Sequence, residues 1–285
     1  MKLIIISGLS GSGKSTALHV LEDLGFFCID NLPVGLLSNF AAQMVSTPER
    51  FYENAAIAID ARNREQDLNR FPSILSGLRT ADLPCEVLFL NADDNILIKR
   101  YSETRRKHPL TKTNNLSLGE AIQQERSLLE PISREADLYL ETSHTNLHQL
   151  RDIIKDRINV KSEQGLSIMI QSFGFKHGVP LDADYVFDVR CLPNPYWEPE
   201  LREYSGKDQP VIDYLQKHDM VKSMLNDIAS FAEKWIPQIQ AADRTYLTIA
   251  IGCTGGHHRS VYLSERLSEI IGKQHKVITR HRELK

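Results

Sequence analysis

Five apolar runs divide the first half of the chain, with stretches of helical periodicity between them. Leu3-Ile4-Ile5-Ile6 comes first, then Phe26-Phe27-Cys28-Ile29, AAIAID at 55–60, CEVLFLN at 85–91 and DLYLET at 137–142. Continuous rather than alternating apolar runs suit strands covered on both faces. Residues 17–24 (ALHVLEDL) place apolar side chains at 17, 18, 20, 21 and 24, one face of a helix, and Gly25 fits its C-cap. Asp93-Asp94-Asn95 reads as a helix start. Residues 117–134 repeat the helical pattern, with Ser117 and Glu120 spaced as a capping box, and a last helix is expected over 146–158. Strands alternating with helices predict an α/β domain built on a parallel sheet.

The pattern turns polar around Val160–Gly165. A boundary there divides the chain into a first domain, 1–159, and a second α/β domain, 160–285. In the second, Leu166–Phe173, Ala183–Val189 and Tyr246–Ile251 read as strands. Residues 210–240 and 261–271 are mainly helical, and Val277-Ile278-Thr279 reads as a last edge strand. No repeat or low-complexity segment interrupts either half.

Candidate chemistry begins where the first apolar run ends. Gly8-Leu9-Ser10-Gly11-Ser12-Gly13-Lys14-Ser15 has the spacing of a P-loop, between a strand and a helix as that motif requires. Its glycines let backbone N–H groups curl around a phosphate, and the next helix N-terminus adds positive partial charge. Lys14 is the cation for β- and γ-phosphates, and Ser15 is the hydroxyl for Mg²⁺. Asp60, closing the third run, is placed as a second Mg²⁺ carboxylate, followed by the polar loop Ala61-Arg62-Asn63. Asp30 closes the second run and reads equally as a ligand residue or a turn residue before Pro33. The basic stretch 99–110 reads either as a solvated helix face or as a lid whose arginines, Arg100, Arg105 and Arg106, close on nucleotide phosphates.

A second anion trap follows the strand at 246–251. Cys253-Thr254-Gly255-Gly256-His257-His258-Arg259-Ser260 is a glycine-rich loop leading into a helix, with an arginine at its end. The same spacing occurs in cysteine-dependent phosphatases. Here, however, Gly252 stands where those enzymes usually place histidine, and no aspartate is assignable as general acid. Anion binding without chemistry is the reading adopted, and a metal site built from Cys253, His257 and His258 is weaker still. The last 13 residues hold five Lys/Arg against one Glu in a chain of net charge −3, so the tail is a candidate polyanion contact or a solubilising end. At 41% apolar and 25% charged the chain has globular composition. Its four cysteines form no CxxC pair, as expected of cytosolic thiols. No apolar run approaches the ~18 residues of a membrane span. A cytoplasmic location without membrane insertion is therefore expected.

Several longer stretches resemble one family, the RNase adapter proteins (RapZ, or YvcJ-type, P-loop nucleotide-binding proteins). They are SGLSGSGKS at 7–15, LEDLGFFCIDNLP at 21–33, IDARN at 59–63, RYSETRRKHPL at 100–110, SFGFKHGVPLDADYVFDVRCLPNP at 172–195 and IGCTGGHHRSVY at 251–262. The resemblance implies a kinase-like P-loop domain followed by a domain likened to part of phosphofructokinase. It implies ATP at Gly8–Ser15 and GTP at Asp60, Ala61, Arg62 and Asn63. It further implies a small regulatory RNA held with the help of Lys273, Lys276, Arg280, Arg282 and Lys285, presented to an endoribonuclease that controls glucosamine-6-phosphate synthesis. That sugar phosphate is expected at Thr254, Gly255, Gly256, His258, Arg259 and Ser260. Members self-associate. Catalysis would be at most slow ATPase or GTPase turnover. The rival reading from another class is a P-loop small-molecule kinase or slow NTPase sensor with no RNA role.

Overall fold

The computed structural model describes residues 1–46, 53–80, 83–104, 107–111, 116–164, 166–242 and 244–284, with backbone alone over 159–164. Arg105, Arg106 and Lys285 lie outside the described residues. The chain forms two compact units, Met1–Lys155 and Asp156–Lys285.

In the first unit, β1 (Lys2–Gly8), β2 (Phe27–Ile29), β3 (Asn54–Ala58), β4 (Cys85–Asn91) and β5 (Leu138–Glu141) form one parallel sheet, ordered β2-β3-β1-β4-β5. β1 sits at its centre, paired to β3 on one side and β4 on the other. Leu3, Ile5 and Val87 are fully buried with Leu37, Phe71, Leu75, Ile122 and Leu129 in one apolar cluster, which is why the strand sequences show no alternation. The helices are α1 (Lys14–Asp23), α2 (Leu37–Ser46), α3 (Glu65–Leu68), α4 (Phe71–Thr80), α5 (Asp94–Thr104), α6 (Leu118–Ser133) and α7 (Leu147–Gln164). Gly25 follows α1 with φ +85°, and the Ser117–Glu120 capping box opens α6, both as the sequence predicts. Helices α2, α3 and α4 were not anticipated. Helix α7 runs through the polar stretch at 160–164 instead of ending at 158.

The second unit holds β6 (Ser167–Gly174), β7 (Tyr185–Asp188), β8 (Tyr246–Cys253) and β9 (Val277–His281) in a parallel sheet ordered β7-β8-β6-β9. Helices α8 (Gln209–Gln216), α9 (Asp219–Ala241) and α10 (Arg259–Ile271) complete it. β8 and β6 pair over their whole length, so the Cys253 end of β8 lies beside Gly174. The buried guanidinium of Arg157 donates to Ser167 O at 2.9 Å and Leu247 O at 3.3 Å, and also bonds Thr248 Oγ1. Among the described residues, no helix is long and apolar enough to cross a membrane.

Candidate functional sites: two loops at strand carboxyl ends

Each sheet ends in a loop wound into a helix N-terminus. In the first unit, β1 runs into Leu9–Gly13 and then α1. Gly8 has φ +143°, and a Cβ there would meet Leu90 O at 2.1 Å, so only glycine lets the chain turn against β4. The loop is gripped from behind. Arg100 donates to Gly11 O at 3.0 Å and to Thr142 O at 2.6 Å, and Thr142 Oγ1 lies 2.9 Å from Ser12 O. Ser10 gives both its N–H and its hydroxyl to the Glu125 carboxylate, at 2.9 and 2.7 Å. Lys14 Nζ donates to Gly8 O at 2.6 Å, a short reach from any phosphate entering the loop. Burial pulls the lysine below its ordinary pKa, while Glu125 and Asp60 oppose that pull.

The loop opens on a cavity of about 810 Å³ that gathers Gly11–Ser15, Asp30, Asp60, Arg62, Arg100, Tyr101, Asn146 and Leu150. Of the residues expected to hold ATP, GTP and Mg²⁺, Ser10–Ser15, Asp60 and Arg62 line this opening, whereas Gly8, Leu9, Ala61 and Asn63 are not among its lining. Asp60 is almost fully buried and is clasped by Arg62, whose Nε and Nη2 reach its carboxylate at 2.8 and 2.6 Å. Ala61 is buried. Asn63 turns inward, accepting Val34 N–H at 2.8 Å and donating to Asp60 O at 3.2 Å, so its side chain shapes the turn. Ser15, Asp30 and Asp60 contribute only oxygen donors, the chemistry Mg²⁺ takes when it keeps waters and binds one or two carboxylates together with nucleotide phosphates. Among the described residues, no group of three His, Cys, Asp or Glu is arranged to hold a metal alone. Arg100 lines the cavity but fastens the loop to β5 instead of standing free as a lid cation. The other two lid candidates, Arg105 and Arg106, fall outside the described residues.

In the second unit, β8 runs to Cys253, two residues further than expected, and α10 starts at Arg259. Gly174 lets the loop lie close: a Cβ there would meet Gly255 C at 2.6 Å. The side chains mostly hold the loop itself. Arg259 Nη1 donates to Arg190 O at 2.7 Å and Leu192 O at 2.9 Å, and Nη2 reaches Thr254 Oγ1 at 3.3 Å. His258 bonds Leu201 O, and Ser260, wholly buried, bonds Cys253 Sγ at 3.1 Å. A bidentate Arg259–phosphate contact is thus not the arrangement present, because both terminal nitrogens serve the protein. What remains for an anion is exposed Thr254, half-buried Gly255 and His257, and the nearby Lys176.

Cys253 sits where a thiolate is favoured. Burial pushes the thiol up, but hydrogen bonds from Ser260 and Gly256 N–H and the charge of Arg259 outweigh it and hold the sulfur below its ordinary value. Phosphatase chemistry still lacks its acid. Asp188, at the end of β7, is clasped by Arg190 through Nε and Nη2 at 3.0 and 2.7 Å, and that pairing keeps it ionised. The clasp repeats that of Asp60 and Arg62, an Asp-x-Arg turn beside each loop, which the separate motifs did not reveal.

With both loops described, the comparisons with known proteins take their place. Residues 1–162 match the RapZ-like N-terminal domain, and residues 166–285 match the RapZ C-terminal domain. The chain belongs to the RapZ-like family. A nucleotide-binding protein of Pseudomonas putida is 56% identical over 285 residues, covering 100% of both chains. One of Azotobacter vinelandii is 55% identical with the same coverage. A solved shikimate kinase from Bacteroides thetaiotaomicron aligns with 57% of this chain and 99% of its own, at 15% identity and a TM-score of 0.37.

Of the tail residues expected to contact RNA, Lys273 and Lys276 are exposed. Arg280 is half-buried. Arg282 is largely enclosed: its Nη2 donates to Gly178 O at 2.7 Å and Gly174 O at 3.2 Å, and its Nε to Glu283 at 2.8 Å. The strand expected at 277–279 is present as β9, paired to β6 along Ile168–Ser172. Two first-unit residues went unanticipated, Glu125 and His108, both with no exposed side-chain surface. Glu125 occupies the buried stripe Ala121-Ile122-Glu125-Leu129-Ile132, and an acid on an apolar helix stripe is a signal readable in the sequence.

Proposed function

We propose that this chain is a nucleotide-responsive adapter. It takes ATP or GTP with Mg²⁺ at the Gly8–Ser15 loop, presents a small regulatory RNA to an endoribonuclease, and so regulates glucosamine-6-phosphate synthesis. The observation that carries the nucleotide part is the Gly8–Ser15 loop opening on the cavity shared with Asp30, Asp60 and Arg62. The nucleotide-binding relatives, matched end to end, support it. Phosphate oxygens would receive the loop N–H groups and Lys14, with Ser15 and Asp60 on the Mg²⁺ side. The cation supplies charge neutralisation between phosphates. Arg62 would turn from Asp60 towards the nucleotide. Turnover, where it occurs, is slow.

The RNA part rests on family membership and on the exposed Lys273 and Lys276. The second loop is proposed to take glucosamine-6-phosphate through the backbone of Thr254–Gly256, with Lys176 and His257 beside it. The protein acts in the cytoplasm as a homo-oligomer. RNA recovered from cells with the full-length protein, with and without added nucleotide, tests the reading. A structured small RNA enriched in a nucleotide-dependent manner is expected. No enriched RNA, together with phosphate transfer from ATP to the amino sugar, would replace the adapter with a small-molecule kinase.

A further inference from the structure

The most enclosed titratable cluster of the first unit lies behind the phosphate loop. Glu125 projects from the middle of α6 with no exposed surface. Its Oε1 accepts the Ser10 hydroxyl at 2.7 Å, and its Oε2 accepts the Ser10 N–H at 2.9 Å and the His108 ring at 3.0 Å. The Leu110 N–H donates to His108 Nδ1 at 3.2 Å, so that nitrogen is an acceptor and the ring proton sits on Nε2. His108 Nε2 is therefore the donor to the Glu125 carboxylate. The positive charge nearest in effect to Glu125 belongs to Lys14, the loop lysine that a phosphate would also engage. A buried carboxylate is costly unless hydrogen-bonded and compensated. Glu125 is both, and each of its partners belongs to the loop or to the segment 107–111.

That segment continues the basic stretch. Thr111 closes a turn on His108, with its N–H 3.1 Å and its hydroxyl 2.8 Å from His108 O. Tyr101 of α5 packs on the His108 ring at 5.3 Å, and the same tyrosine lies under Gly11 of the loop. Ser10 and His108 thus share one carboxylate, and a change at one changes the partners of the other.

We propose that Glu125 is the positioning residue of the phosphate loop, and that through Ser10 and His108 it couples phosphate occupancy of the loop to the backbone order of residues 107–111. This rests on nucleotide binding at the Gly8–Ser15 loop. When phosphate draws Lys14 away from Gly8 O, Glu125 loses part of its compensation and leans more heavily on the Ser10 and His108 donors. The 107–111 turn is then held more firmly. Glu125 touches no nucleotide; it acts through Ser10.

The test uses the full-length protein with MgATP as probe, calorimetry for affinity, and hydrogen exchange for residues 107–111. In the wild type, MgATP is expected to slow exchange at 107–111. Glu125→Gln should weaken MgATP binding about ten-fold or more, because a charge-assisted acceptor is lost, and should abolish the nucleotide-dependent protection. Ser10→Ala keeps the N–H donor and should give an intermediate loss, which serves if the buried Gln variant folds poorly. His108→Gln, whose amide can donate from nearly the same position as Nε2, should retain the coupling, whereas His108→Ala should lose it with a smaller change in affinity. That separation is not expected of a merely structural role. Wild-type binding with no change at 107–111, or unchanged affinity and protection in folded Glu125→Gln and Ser10→Ala, would overturn the inference. No MgATP binding by the wild type would instead overturn the nucleotide reading beneath it.

Discussion

Glu283 sets a carboxylate oxygen 3.1 Å from the Gly174 nitrogen, and the same oxygen would lie 2.4 Å from a Cβ placed on Gly256. The last turn of the chain therefore covers the second loop with a negative charge, steadied by Arg282. Glu283→Ala leaves the Gly174 N–H without its acceptor and Arg282 without its carboxylate. A loss of about 1–3 kcal/mol is expected for the stranded group, while removal of the negative charge should favour binding of the proposed anion, glucosamine-6-phosphate. Glu283→Gln, which keeps an acceptor, should lose less stability. Thermal melting and calorimetry with the sugar phosphate check both.

Lys14→Ala should weaken ATP and GTP together. Among the described residues the lysine side chain makes one hydrogen bond, to Gly8 O, and also faces the Glu125 and Asp60 carboxylates, so the fold should survive its removal with some loss of stability. Loss of a charged phosphate contact corresponds to about 1.5–3 kcal/mol, roughly ten- to a hundred-fold in affinity. Calorimetry showing unchanged affinity for both nucleotides would remove the P-loop assignment.

Cys253 should titrate first among the perturbed thiols. Its value lies below the ordinary 9.0, whereas burial raises Cys28 to about 11 and Cys85 to about 12. A depressed native value means that the stability gained from the thiolate is fully present above the ordinary thiol value. It is lost as pH falls through the native one. Ultraviolet absorbance of the thiolate, recorded for wild type and Cys253→Ser, should differ by one early step. Equal titrations below pH 9.0 would contradict the assignment.

For RNA, Lys273→Ala with Lys276→Ala is the clean pair, because both lysines are exposed. Each lost phosphate contact flattens the log affinity–log salt slope by about 0.7–0.9, so the pair should change it by roughly 1.4–1.8. Filter binding of a structured small RNA across a salt series measures this. Arg280 and Arg282 do not belong in the same variant. Arg282 fastens Gly174 and Gly178, and its loss would disturb the second loop as well as any RNA contact.

What the sequence disclosed was local. The Gly8–Ser15 spacing, the apolar runs and the Ser117–Glu120 box lie within a few residues of their consequences, and each strand core stands where its run predicts. Segment 37–46 carries no charged residue to mark its outer face, and α2 was passed over. Arg259 read as an anion ligand because it ends a glycine-rich loop, and Arg282 because the tail is basic and the family resemblance implies it. Their partners are carbonyls 67–69 and 104–108 positions away, and no local spacing reports those. Glu125 is the intermediate case, since its place on an apolar stripe is visible but its partner Ser10 lies 115 positions earlier.

Arg157 decides where the chain can be cut. Its guanidinium belongs to the middle of a helix but closes the starts of β6 and β8, holding Ser167 O and Leu247 O. A C-terminal fragment beginning at 160, the boundary that the polar stretch suggests, would discard this arginine and its hydrogen bonds to two strand carbonyls. A fragment beginning at Asp156 keeps them. The longer fragment should melt higher than the shorter, by more than the four extra helical residues alone would give, since a lost hydrogen bond from a charged donor costs about 1.5–3 kcal/mol. The four residues from Asp156 to Asn159 are thus a foundation for the sheet that follows, although their sequence reads as the tail of the helix before it.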